Sequence, residues 1–96
     1  MKLAVVIYEA GIDDSMMDLL RRLGLPGWTK LEGATGFGHK GPREGSPIWP
    51  GTNHVLFLVL DEPTLLAFLD ALELLKGEYL RPPAVFAFVV PVEAVR

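Results

Sequence analysis

The sequence contains no cysteine, which excludes disulfides, thiolate metal centres and cysteine catalysis. Serine is nearly as scarce: Ser15 and Ser46 are the only two, and neither sits in a nucleophile elbow or a Ser-x-x-Lys motif. Histidine occurs only as His39 and His54. Together with Glu32, Glu44 or Asp61 they could ligate a divalent metal, but their spacing forms no His-x-x-x-His pair or dense ligand cluster, and two unrelated histidines are the simpler reading. No cationic stripe exists either. Nine Lys and Arg are scattered against twelve Asp and Glu for a net charge of -3, so binding to a nucleic-acid backbone is not expected. No apolar run approaches the ~18 residues of a membrane span, and Met1-Lys2-Leu3 leads into a short strand without a small-residue cleavage site. These absences predict a cytoplasmic, non-enzymatic chain that neither inserts into a membrane nor binds DNA or RNA.

What the chain does have is apolar sequence: 50% of its 96 residues are hydrophobic. Lys2 to Tyr8 is a β-branched run that reads as a strand buried on both faces. Asp13 and Asp14 then offer helix-capping oxygens. Met16, Met17, Leu19, Leu20 and Leu23 recur at helical spacing until Gly24, predicting a helix over residues 14–23. Pro26-Gly27 turns the chain into a second strand, residues 28–37, where Lys30 and Glu32 share one face and Leu31 takes the other, a pattern suited to a sheet edge. Residues 38–52 follow, rich in glycine and proline and without periodicity of their own. His54 to Leu60 is again apolar on both faces. Asp61-Glu62-Pro63 starts a second helix that carries an apolar stripe of Leu65, Leu66, Phe68, Leu69, Leu72 and Leu75 and ends at Gly77, and residues 84–90 form a last strand.

The order β-α-β, loop, β-α-β is satisfied most economically by an α+β ferredoxin-like sandwich. This is one domain over residues 1–96, with a four-stranded antiparallel sheet in the order 4-1-3-2 and both helices on one face. The two most apolar strands then lie at the centre. Two helices cover only one face, so large apolar side chains such as Val5, Ile7, Phe57, Val59, Phe86 and Phe88 are at stake, whichever alternate set faces away. At about 1.5–3 kcal/mol per large apolar side chain, leaving that face in water forgoes as much as a domain's net stability of about 5–15 kcal/mol. The expectation is an obligate homo-oligomer closed by contact between sheets.

Two stretches carry a family resemblance. Gly24-Leu25-Pro26-Gly27-Trp28-Thr29 is similar to the Gly-x-x-Gly-x-Thr strand start of the PII-like signalling proteins, and Gly36-Phe37-Gly38 resembles the base of their T-loop. The resemblance implies a homotrimer that senses a small effector, an adenine nucleotide among the candidates, in clefts between subunits. Its effector-binding residues would be Thr29, Gly36, Phe37, Gly38, His39 and Lys40. Loop 38–52, as the T-loop equivalent, would contact a partner such as a transporter or metabolic enzyme, with Arg43 and Trp49 as anchors. Two features depart from the family. Where nucleotide-binding members carry a glycine-rich phosphate motif, this chain has Lys76-Gly77-Glu78-Tyr79-Leu80-Arg81-Pro82-Pro83, and the two prolines remove N–H donors. The loop is also short and has no tyrosine to be uridylylated. The alternative is a CutA-like trimer that binds divalent metals and serves metal tolerance.

Overall fold

In a computed structural model of the chain, which describes residues 1–38, 41–42 and 52–96, the expected order of elements is present. Strand β1 (Lys2–Glu9) leads through a 3-10 turn (Ala10–Ile12) into helix α1 (Asp13–Leu23). Strand β2 (Thr29–Ala34) is followed by a two-residue ladder of β3 (Phe37–Gly38) with β4 (Gly41–Pro42). Then come β5 (Asn53–Leu60), helix α2 (Glu62–Gly77) and β6 (Val85–Pro91). The main sheet is ordered β2-β5-β1-β6 with every pairing antiparallel, so the two most apolar strands are central, as the sequence pattern requires.

Each helix ends for a local reason. Gly24 adopts φ 62° and closes α1 through its N–H to the Arg21 carbonyl, a left-handed position that glycine occupies without steric cost. Asp61 caps α2, its carboxylate accepting from the Thr64 N–H at 2.9 Å, which holds its pKa below the usual carboxylate value. The helix-facing side of the sheet is alternate: Ala4, Val6 and Tyr8 on β1 and Leu56, Leu58 and Leu60 on β5. These pack against Met16, Leu19 and Leu20 of α1 and Leu65, Phe68, Leu72 and Leu75 of α2.

Two sequence-based expectations need correction. The second strand does not run unbroken over 28–37. Its register against β5 shifts between Leu31 and Ala34, Gly33 takes φ 77°, and the ladder stops at Ala34. Asp13 is also no cap. The α1 cap position is Ile12, which makes no side-chain capping bond, and the Asp13 carboxylate is engaged elsewhere, as described below.

Among the described residues, no helix covers the opposite face of the sheet. Register places Phe88, Val5, Phe57 and Thr29 in one row across the strands, Phe86, Ile7, Val55 and Leu31 in a second, and Val90, Leu3 and Val59 in a third. Ile7, Leu31, Val59, Phe86, Phe88 and Val90 each keep more than a third of their surface exposed. Phe86 is 62% exposed, and its ring lies 5.8 Å from that of Phe88. The registers thus decide which alternate set faces away from the helices: it contains Val5, Ile7, Phe57, Val59, Phe86 and Phe88.

Candidate functional site

The residues carried over from the resemblance divide by location. Thr29 is exposed at the end of the first apolar row, on the edge strand β2. Gly36 is exposed in the break after β2, where a Cβ would meet nothing within 4 Å. Phe37 and Gly38 form β3, paired with Pro42 and Gly41. Thr29 and the Gly36-Phe37-Gly38 turn thus belong to one run at the sheet edge. His39, Lys40, Arg43, Glu44 and Trp49 lie outside the described residues.

The opposite edge, β6, begins at the same end of the sheet: Val85 pairs with Tyr8, and the Glu9 N–H donates to the Ala84 carbonyl at 3.0 Å. The Leu80-Arg81-Pro82-Pro83 segment precedes it, with Leu80 fully exposed. Within one chain, this segment and the Gly36 turn therefore flank the same end of the sheet from opposite edges.

Between the helix-facing side of β2 and α1 lies a polar cluster that the sequence did not announce as a unit. Lys30 Nζ stands 3.1 Å from Asp13 Oδ2 and 3.6 Å from Glu32 Oε2, with only 16% of its side chain exposed. Tyr8 donates its hydroxyl to Asp13 Oδ1 at 2.6 Å. His54 packs edge-on to Tyr8 with ring centroids 5.6 Å apart and brings Nε2 to 3.7 Å from Glu32 Oε2, while its Nδ1 is buried with no partner among the described residues. Alternation explains the gathering: Tyr8, Lys30 and His54 all sit on the helix-facing side of adjacent strands, and α1 starts above them.

The electrostatics follow from those contacts. Burial pushes the Asp13 carboxyl up, but the hydrogen bonds from Tyr8 and Lys30 and the nearby positive charge outweigh it and hold the group below its ordinary value. The hydrogen bond to Asp13 raises Lys30 against the opposing effect of burial, with the charges of Asp13 and Glu32 adding. Burial drives the Tyr8 phenol far up, reinforced by Asp13 and Glu32. The proton therefore stays on Tyr8, and Asp13 stays ionised beside a charged Lys30.

Ligand atoms of Asp13, Glu32 and His54 lie within 4.8 Å of one another. Two members of that triplet, Glu32 and His54, were among the metal candidates in the sequence. A third, Asp61, is occupied as the α2 cap. The cation between the two carboxylates is the chain's own Lys30, which already occupies the donor set, so a divalent metal does not fit without expelling that ammonium. The signal that sequence reading overlooked was a lysine facing inward between Thr29 and Leu31, beneath a helix that starts with two aspartates.

No protein-family model and no curated protein matches this sequence. Solved structures do. A PII-like signalling protein of Thermus thermophilus is 31% identical, over 93% of this chain and 83% of that one, with a TM-score of 0.66. A DUF3240 family protein of Shewanella baltica is 21% identical over 99% of this chain and 92% of that one, with a TM-score of 0.77. CPII, a nitrogen regulatory PII-like protein of Thiomonas intermedia solved with ADP, AMP and bicarbonate, is 19% identical over 97% and 88%, with a TM-score of 0.66. The last two share the fold. With the first the chain shares nearly a third of its residues across almost its whole length, and it belongs to the PII-like signalling proteins.

Proposed function

We propose that this chain is a regulatory protein that assembles as a homotrimer and binds a small effector at the seams between subunits. It signals through residues 38–52 to a partner protein, a transporter or a metabolic enzyme in the cytoplasm. The observation that carries the reading is the uncovered sheet face: six large apolar side chains stand open on it, and Thr29 lies at its margin. Burying the exposed part of those side chains is worth on the order of 5 kcal/mol per subunit, enough to make the covered state the stable one. A neighbour whose β6 edge meets this β2 edge brings its Leu80-Arg81-Pro82-Pro83 segment to the Gly36 end of β2. The cleft then has walls from two subunits, with Thr29, Gly36, Phe37, Gly38, His39 and Lys40 on one side.

An adenine nucleotide is the effector class we favour, because the PII-like protein CPII has been solved with ADP and AMP. Pro82 and Pro83 withhold backbone donors from a polyphosphate, which favours a monophosphate over ATP in this cleft. Binding regulates only if the ligand prefers one loop arrangement over another. Isothermal titration with AMP, ADP, ATP and cyclic AMP tests the reading. AMP or ADP binding that Thr29→Ala weakens at least fivefold supports it. Heat from none of them overturns the nucleotide reading, and binding of Zn²⁺ or Ni²⁺ lost on His39→Ala or His54→Ala selects the CutA-like metal trimer instead.

A further inference from the structure

We infer that His54 and Glu32 form a proton-operated clasp that fastens the bulge of β2, and with it the start of the effector loop, to strand β5. The clasp stands on geometry alone; reading it as regulation of the effector site rests on the function proposed above.

The parts are unevenly held. Among the described residues β2 is an edge strand bonded only to β5, and its ladder slips between Leu31 and Ala34, with Gly33 at φ 77°. Among the described residues nothing lies within 4 Å of a Cβ built at Gly33, so no side chain packs against the backbone on that side. Glu32, next to that glycine, is 66% exposed, whereas His54, opposite it on β5, is only 12% exposed. One partner is thus fixed, while the other is solvent-facing and has Lys30 at 3.6 Å as its second contact.

The charges around His54 come from three elements. Tyr8 on β1 faces its ring edge-on, Asp13 on α1 is held by Tyr8 and Lys30, and Lys30 and Glu32 approach from β2. β5 has no other titratable group. With His54 neutral, two carboxylates share one ammonium and the cluster carries a net charge of -1; Asp13 holds that ammonium at 3.1 Å, against 3.6 Å for Glu32. Glu32 is the carboxylate left under-compensated. A proton on His54 brings the cluster to zero and sets an N–H donor 3.7 Å from Glu32 Oε2, a gap that a small rotation about Gly33 closes. Loss of the proton leaves Glu32 facing a neutral ring with Lys30 at 3.6 Å as its remaining ion partner, and the bulge is then held to β5 by the pairing of Ala34 with Asn53 and more loosely at Glu32 and Gly33. The buried, unpartnered Nδ1 fits a ring whose polar contacts all lie on its Nε2 side.

Nuclear magnetic resonance of the ligand-free, intact chain between pH 5 and 8 tests the clasp. The expected result is that the Gly33 and Ala34 amide shifts follow the titration of the His54 ring. In Glu32→Gln the ring still titrates while those amides stop following it; in His54→Gln their pH dependence disappears. Amides that do not respond, or that respond equally in Glu32→Gln, overturn the inference. AMP affinity is then compared at pH 6 and pH 8. A difference of threefold or more that Glu32→Gln removes supports regulation of the effector site, and equal affinity at both overturns it. Failure of AMP to bind at either pH, with the amide coupling intact, overturns the effector reading alone.

Discussion

Replacing Lys30 by Met keeps most of the aliphatic stem and deletes the charge on which Asp13 and Glu32 converge. The ammonium lies 3.1 Å from Asp13 Oδ2 and 3.3 Å from Oδ1, with the two side chains 16% and 24% exposed. Exposed ion pairs are worth about 0–1 kcal/mol, and breaking a buried pair by removing one partner costs roughly 3–5 kcal/mol. This pair lies between those limits, and Tyr8 still donates to Asp13 after the change, so the expected loss is about 2 kcal/mol. For a domain of this length that corresponds to a fall in Tm of about 10 °C, measured at fixed protein concentration because the proposed assembly would make Tm concentration-dependent. Asp13→Asn should cost a similar amount. The double variant should cost less than the sum, with a coupling energy of about 1–2 kcal/mol. Urea unfolding of the four proteins at pH 7 gives the cycle. A loss below about 0.5 kcal/mol for Lys30→Met, or additive single changes, refutes the view that this tie holds β2 to α1.

Three further outcomes follow from the same geometry. Because the Asp13 carboxyl is held below its ordinary value, its contribution is present above the unfolded-state pKa and is lost as pH falls through the folded one. Below about pH 4 the wild type should therefore lose stability more steeply than Asp13→Asn in urea titrations against pH; parallel curves contradict the assignment. Gly33→Ala puts a Cβ on a residue at φ 77° with no contact to offset the strain, and should cost about 1–2 kcal/mol, with no loss counting against a fixed bulge. Tyr8→Phe removes the 2.6 Å bond to Asp13 and should destabilise by about 1–2 kcal/mol while raising the Asp13 pKa, readable in its carboxyl carbon shift.

The sheet order and the open apolar face were legible in the chain because strand alternation and burial are one-dimensional signals. The spacing put Val5 with Ile7, Phe57 with Val59 and Phe86 with Phe88 on common faces, and the fold decides which face meets the helices. The break in β2 was not legible: Thr35 and Gly36 read as strand, and the positive φ at Gly33 arises from a register slip against β5 that no local pattern encodes. The Asp13 cluster escaped for another reason. Asp13 looked like a cap, since helix starts favour acidic residues, and only the fold reveals that Tyr8, Lys30 and His54 converge beneath it from three strands. The sites on Arg43 and Trp49 belong to residues outside those described and remain proposals.

The oligomeric state under a single charge placed on the open face tests the central claim most directly. Phe88 lies halfway along the edge strand β6 on that face, beside Val5, so Phe88→Glu should disrupt assembly without touching the helix-side core. Sedimentation velocity at low micromolar concentration should find the wild type at three times the 10.5 kDa chain mass and the variant at a lower mass. A wild type that sediments as a folded monomer, or a variant that stays trimeric, contradicts the account.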